Sequence, residues 1–276
     1  MKELFELIKV LLLGILEGVT EWLPISSTGH LLLFDNLLYL DESNAFKEVF
    51  FVVIQLGAIL AVLVHFWGKM VPAKQDQIPE TLSLWTKVAL ACIPGAIFTL
   101  LFDDALEAFL NGTKIGRISL MTAVIATALI LYGIWFLFIE KKRRPSRIHT
   151  LQEISCKDAL CIGVFQTLSI LPGTSRSGAT VIGALSLGIE RSVAAEFSFF
   201  LAVPVMLGYS ALKLIKFGFA FTPYQLRLLL IGTVSAFITS LFVIRFLLSY
   251  VKKHSFASFG VYRILLGIAV FFFCLL

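Results

Sequence analysis

The sequence predicts an all-α integral membrane protein with six transmembrane helices plus two re-entrant helical hairpins in an inverted-topology repeat. Three observations carry that expectation. The 276 residues are 58% hydrophobic and 15% charged, with a mean hydropathy of +0.92. Soluble domains run nearer a quarter charged and under half apolar, and a soluble core of this size would leave much of its surface in water. Six stretches each approach the roughly 20 apolar residues that cross a bilayer, and two more are interrupted midway by Pro, Gly, Ser and Thr.

In chain order, the first interrupted stretch covers about 4–40 and reads L-E-G-V-T-E-W-L-P-I-S-S-T-G-H-L-L-L at its centre. Spans follow at about 49–67, 84–102 and 117–139, separated by Lys69 to Pro79 and by Asp103 to Gly116, with Asp103-Asp104 ending a span at water. The basic run Lys141-Lys142-Arg143-Arg144-Pro145 opens a linker over 141–157. The second interrupted stretch, about 158–190, contains F-Q-T-L-S-I-L-P-G-T-S-R-S-G-A-T-V-I-G, and spans at about 195–215, 226–249 and 257–276 complete the chain. Turns at Lys213 to Pro223 and at Lys252-Lys253-His254 separate these last three.

Neither half of an interrupted stretch is expected to cross alone. Non-helical backbone at membrane depth needs protein or a wet cavity around it, so each stretch reads as a re-entrant hairpin whose tip meets the other; two ordinary kinked spans are the alternative. Residues 1–140 and 158–276 then form two repeats within one integral membrane domain. A shift of 148 residues superposes Leu23 on Leu171, Pro24 on Pro172, Ser27 on Ser175 and Glu48 on Glu196, a weak identity. The order of elements is stronger: three spans per half is odd, so the second half enters upside down.

The net charge of +5 orients such a chain rather than recruiting nucleic acid. One side collects Lys69, Lys74, Lys87, the 141–147 cluster, Lys157, Lys252 and Lys253. The other has Lys2, Lys9, Lys47, Lys114, Arg117, Lys213, Lys216 and Arg227. The first is richer and is expected in the cytoplasm, with both termini outside. Glu3 and Glu6 sit where a signal peptide would be basic, so the first helix is expected to remain in the mature protein. Cys92, Cys156, Cys161 and Cys274 are scattered and suggest neither disulfides nor a metal knuckle.

Charged side chains at membrane depth mark functional candidates. Glu17 and Glu21 are four apart, hence on one helix face, and Pro24 ends that helix. Two carboxylates near a helix C-terminus repel each other and the dipole. Mg²⁺ or Ca²⁺ could compensate them, as could an arginine, and a hydrogen-bonded pair with one carboxyl protonated is the structural alternative. Ser26, Ser27, Thr28 and Gly29 then open a new helix, where small hydroxyl residues are common caps, and His30 lies three after Ser27, a base beside a potential nucleophile.

The second break, Pro172-Gly173-Thr174-Ser175-Arg176-Ser177-Gly178-Ala179-Thr180, resembles an anion cradle: hydroxyls, freed N–H groups and one guanidinium at a helix N-terminus. Arg176 could instead neutralise Glu17 or Glu21. Gly173 to Thr180 has P-loop spacing, but Ala179 stands where the lysine belongs and no strand precedes it, which argues against a nucleotide site. Glu48 and Glu196 near span starts read as interfacial, and Gln55 as a bond to a neighbouring helix.

With these breaks in view, the sequence resembles the undecaprenyl-diphosphate phosphatase family associated with bacitracin resistance. The resemblance covers nearly the whole chain through E-G-x-T-E-W-L-P-x-S-S-T-G-H-L at 17–31, V-I-Q-L-G-A-I-L-A-V at 53–62, P-G-T-S-R-S-G-A-T at 172–180 and E-F-S-F-F-L-A-V-P at 196–204. It implies hydrolysis of a C55 isoprenyl diphosphate to the monophosphate and inorganic phosphate, recycling the carrier of cell-wall polymers. Glu21, Ser27, His30 and Arg176 would be catalytic, Ser26, Thr28, Gly173, Thr174, Ser175, Ser177 and Thr180 would bind phosphate, and Glu17 with Glu21 would hold Mg²⁺ or Ca²⁺. Phe51 departs from the family, whose members carry glutamate there.

Two mechanisms stay open: attack by Ser27 with His30 as proton acceptor, or attack by a water activated by the metal. The expected location is the bacterial inner membrane, with the site toward the extracytoplasmic side. The partners are the polyprenyl diphosphate and membrane lipid, not nucleic acid, with a homodimer left open. Bacitracin would compete for the substrate rather than bind the protein. The rival function is a transporter or flippase for an anionic or lipid-phosphate substrate, because inverted repeats with broken helices are common in transporters. A phosphatase for another isoprenoid or phosphatidyl substrate is the third.

Overall fold

A computed structural model describes residues 2–115, 118–142, 145–218 and 220–273. Within them the chain is almost wholly helical: α1 (Lys2–Thr20), α2 (Ser27–Leu38), α3 (Asn44–Met70), α4 (Ile78–Gly112), α5 (Leu120–Lys141), α6 (Cys156–Thr167), α7 (Arg176–Ser186), α8 (Arg191–Phe217), α9 (Pro223–Lys253) and α10 (Ala257–Phe273). A short antiparallel pair, β1 (Lys114–Ile115) and β2 (Ile118–Ser119), joins α4 to α5. Of the features named from sequence, Gly116, Arg117, Arg143, Arg144 and Cys274 lie outside the described residues, as do the side chains of Lys2, Asp103, Asp104 and Lys114.

Helix starts follow local chemistry. Ser43, Ser119 and Ser155 accept N–H bonds at the heads of α3, α5 and α6, and Thr222 with Gln225 forms a reciprocal cap ahead of Pro223 at the head of α9. Five helical stretches are long and apolar enough to cross a membrane: Asn44–Met70, Gln75–Phe102, Leu120–Lys141, Arg191–Phe217 and Pro223–Lys253. Where the sixth span is expected, at about 257–276, the described residues form the shorter apolar helix Ala257–Phe272.

Two expectations are corrected. The turn expected from Asp103 is not one, because α4 continues to Gly112, although the candidate span ends at Phe102 as expected; adjacent acidic residues do not stop a helix when no Gly or Pro follows at once. The first half of the first interrupted stretch is also longer than expected. α1 has 19 residues, about 28 Å at the α-helical rise, and differs from the five by its charged residues rather than its length.

Packing pairs α1 with α9, α4 with α6, α5 with α10, and α3 with both α8 and α9. Small residues permit the close approaches. A Cβ on Gly14 of α1 would lie 2.4 Å from the Gly232 carbonyl oxygen of α9, and one on Gly163 of α6 would lie 2.3 Å from that of Ala91 of α4. α3 and α8 are tied at both ends by reciprocal ion pairs, Glu48 with Lys213 and Lys69 with Glu196. Those pairs join the head of each helix to the tail of the other, so the two run antiparallel. Glu48 and Glu196 thereby have structural partners.

Candidate active site

The breaks between α1 and α2 and between α6 and α7 come together. Glu21, one residue past α1, keeps helical register through its N–H bond to the Glu17 carbonyl at 3.0 Å. This holds Glu17 and Glu21 on one face, as their spacing requires. Trp22 then packs edge-on against Phe199 of α8, ring centroids 5.3 Å apart, which anchors the first break.

Two serines cap the helices that restart. Ser26 accepts from Gly29 N at 3.4 Å ahead of α2, and Ser175 accepts from Gly178 N at 3.2 Å ahead of α7. Both have left-handed backbone, φ 73° and 68°, alone among described non-glycine residues. Such a conformation costs on the order of 1–3 kcal/mol and persists where surrounding structure imposes it. The structurally matching serines are therefore Ser26 and Ser175, one step from the sequence pairing of Ser27 with Ser175. The second break has one residue more after its proline: Gly173, at φ 89°, and Thr174 stand where the first has only Ile25.

Arg176 crosses between the breaks. Its Nη2 donates to Glu21 Oε1 at 3.0 Å and its Nη1 to the Ser198 carbonyl of α8 at 2.9 Å. Ser177 Oγ donates to the Glu21 carbonyl at 3.2 Å and lies 3.0 Å from Ser175 Oγ. Glu17 is 2% exposed, with the Gln55 side chain of α3 beside its carboxylate. Glu17 Oε1 and Arg176 Nε are buried without hydrogen-bond partners.

The remaining expected residues take more particular places. His30 Nδ1 lies 2.7 Å from the Ser26 carbonyl and Nε2 lies 2.7 Å from the Tyr262 hydroxyl of α10, with the rings stacked. The first contact requires the proton on Nδ1, which leaves Nε2 as the basic nitrogen accepting from Tyr262. Ser27 is not among the hydrogen-bond partners described for His30. Thr180 and Thr174 are fully buried, and Thr180 Oγ1 meets Ser198 Oγ at 2.6 Å, so Thr180 ties α7 to α8. Thr28 is exposed and borders an apolar cavity of about 320 Å³ with Pro172 of the other break, Leu31, Phe34, Phe51 and Ile125. Phe51, where the resemblance leads one to expect a glutamate, thus lines an apolar space.

Arg263 of α10 was missed by sequence reasoning, although an arginine inside an apolar span is the signal that singled out Glu17. Its Nη1 donates to the Pro24 carbonyl at 3.1 Å and its Nη2 to the Gly173 and Thr174 carbonyls, both at 2.9 Å. Tyr262, its neighbour, and Ser198 were also missed, since an isolated hydroxyl in an apolar helix carries no spacing signal.

The model of the family described as bacitracin resistance protein BacA matches residues 10–269. The chain belongs to the BacA family. It is similar to an undecaprenyl-diphosphatase of Enterococcus faecalis, 58% identical with 97% of each chain covered. It is likewise similar to one of Desulfitobacterium hafniense, 50% identical over 97% of this chain and 95% of that one. Undecaprenyl-diphosphatase 1 of Clostridioides difficile is 49% identical over 99% and 98%. Both breaks lie inside the region matched by the BacA family.

Proposed function

We propose that this multi-pass membrane protein hydrolyses undecaprenyl diphosphate to undecaprenyl phosphate and inorganic phosphate, which recycles the lipid carrier for cell-wall polymers and confers bacitracin resistance. One observation carries the reading. At the junction of the breaks, Arg176 pairs with Glu21 while Arg176 Nε and Glu17 Oε1 stay buried and unpartnered. Buried polar atoms without partners are rare, and a phosphate with a cation would satisfy one of each sign. The names of the relatives support hydrolysis over transport.

The diphosphate sits where the breaks meet, with Arg176 and freed N–H groups on the phosphoryl oxygens and the first isoprene units in the apolar cavity beside Thr28. Glu17 and Glu21 fit Mg²⁺ or Ca²⁺, because such ions accept one or two carboxylates and complete their shell with substrate oxygens and water. A bound ion would supply neutralisation of phosphoryl charge. In the serine route Ser27 Oγ attacks the terminal phosphorus, its proton passes to His30 Nε2 as the Tyr262 hydroxyl gives up its bond to that nitrogen, and the bridging P–O bond breaks, releasing undecaprenyl phosphate. Water then cleaves the phosphoserine. The absence of Ser27 from His30's described partners favours a second reading, in which water attacks directly and Ser27 positions the phosphate.

The finer architecture is six spans with two re-entrant hairpins in two inverted repeats. The paired left-handed capping serines, the antiparallel α3 and α8 with their reciprocal ion pairs, and the packing of α1 on α9 and of α6 on α4 support it. The protein belongs in the bacterial inner membrane with the 141–157 linker in the cytoplasm and the site opening outward. Bacitracin competes for the lipid diphosphate rather than binding the protein.

The test is phosphate release from undecaprenyl diphosphate by detergent-purified protein, with and without Mg²⁺ or Ca²⁺. Metal-dependent release that chelation abolishes is expected. A labelled phosphate trapped on Ser27 supports the serine route, and Ser27→Ala retaining more than about a tenth of the activity eliminates it. Movement of intact lipid diphosphate across vesicles without hydrolysis would replace the phosphatase by a transporter.

A further inference from the structure

We propose that Arg263 is a positioning residue that holds the two helix breaks in register for phosphoryl transfer, an inference that rests on the phosphatase reading. Its guanidinium is fully buried, yet its three described hydrogen bonds all go to backbone carbonyls, one in the first break and two in the second. Burying a charge is expensive unless its bonds achieve something an apolar residue could not. Here one planar fork spans two segments separated by about 150 residues of chain. Lysine, with a single nitrogen, lacks that geometry.

The carbonyls engaged are well placed for this role. Pro24 is two residues before Ser26, and Gly173 and Thr174 are two and one before Ser175. Arg263 therefore fixes the peptide planes leading into both left-handed serines, and beyond them the starts of α2 and α7, which carry Ser27 and Arg176. The site is built around it. The Tyr132 ring lies 5.5 Å from the guanidinium carbon, and a Cβ on Gly178 would approach Nη1 to 3.1 Å, so the residue that bonds the capping Ser175 is also the one that makes room for Arg263.

Phosphoryl transfer depends on positioning, and a misplacement of about 1 Å can reduce the rate about 100-fold. The experiment compares wild type with Arg263→Lys in detergent, measuring kcat and KM for undecaprenyl diphosphate. It also measures the distance distribution between spin labels at Thr28 and Leu171, two exposed positions on opposite breaks. The expected result is a kcat lowered about 100-fold with KM within about threefold, and a broadened distance distribution. Wild-type kcat, or a raised KM with kcat retained, overturns the proposal; the latter would make Arg263 a direct phosphate ligand. An unchanged distance distribution overturns it whether or not the wild type hydrolyses this substrate, which separates its failure from that of the phosphatase reading. Should Arg263→Lys fail to fold, Tyr132→Leu, which removes the ring beside the guanidinium, carries both measurements with the same expected directions.

Discussion

Arg176 Nη2 lies 3.0 Å from Glu21 Oε1, an ion pair between residues 155 apart in sequence, and each side chain is only about a tenth exposed, 10% and 11%. Breaking one side of such a pair leaves a buried charge without its partner, and loss of Arg176 would also remove the guanidinium proposed to hold phosphate. Glu21→Gln and Arg176→Ala are each expected to lower kcat/KM by about 100- to 1,000-fold. Because the two act as a unit, the double variant should fall no more than about tenfold below the weaker single. Full additivity in steady-state phosphate release would show that they act independently.

His30 Nε2 is held by the Tyr262 hydroxyl at 2.7 Å. Removing a general base typically lowers a rate by about 100-fold or more, and losing one hydrogen bond to it removes about 1 kcal/mol. His30→Ala is therefore expected to lose at least about 100-fold in kcat, and Tyr262→Phe about five- to tenfold. A Tyr262→Phe enzyme as impaired as His30→Ala would assign the phenol a direct chemical role.

Gly163 on α6 faces the Ala91 carbonyl of α4, and a Cβ there would stand 2.3 Å from its oxygen. Backbone cannot yield as a flexible side chain does. Gly163→Leu should separate α4 from α6 and destabilise the protein by about 3 kcal/mol, seen as a lowered melting temperature in detergent. Gly68→Ala, where nothing lies within 4 Å, is the control and should leave melting unchanged.

Asp158 lies in the first turn of α6, outside the spans, bonded by Ser155 and paired with Arg147. Burial pushes its carboxyl up, but the bonds from Ser155 and the Arg147 guanidinium outweigh that and hold it below the ordinary 3.8. A depressed folded-state value contributes stability that is present above the unfolded value and lost as pH falls through the folded one. Melting should therefore be flat with respect to this group above about pH 5 and decline in acid. Asp158→Asn should be less stable by about 1 kcal/mol at neutral pH and lose part of that acid-side decline.

Much of the fold was legible because the bilayer imposes length and polarity on every span. The starts of α3, α5 and α9 follow from apolar runs and capping residues, and those of α8 and α10 from apolar runs alone. The span end at Phe102 was legible too, but α4 runs on as helix past Asp103, where a turn was expected, since charge alone does not end a helix. At the site, Glu17, Glu21 and Arg176 could be singled out because each is a charge at a depth that disfavours charge. Their pairing could not, since Arg176 had two carboxylates in reach and only the close approach of the breaks selects Glu21.

By itself the sequence determined that this chain lies in a membrane, that two of its apolar stretches are broken, and which residue types stand at those breaks. Composition, span length and helix-breaking residues are local properties, and each acts without knowledge of the rest of the chain. Only the tertiary structure decided that Ser26 rather than Ser27 matches Ser175, that His30 turns to Tyr262, and that Arg263 bridges both breaks. These are contacts between segments up to 239 residues apart. Their geometry is set by how closely α1, α6 and α10 pack on their partners, and no local pattern encodes that distance.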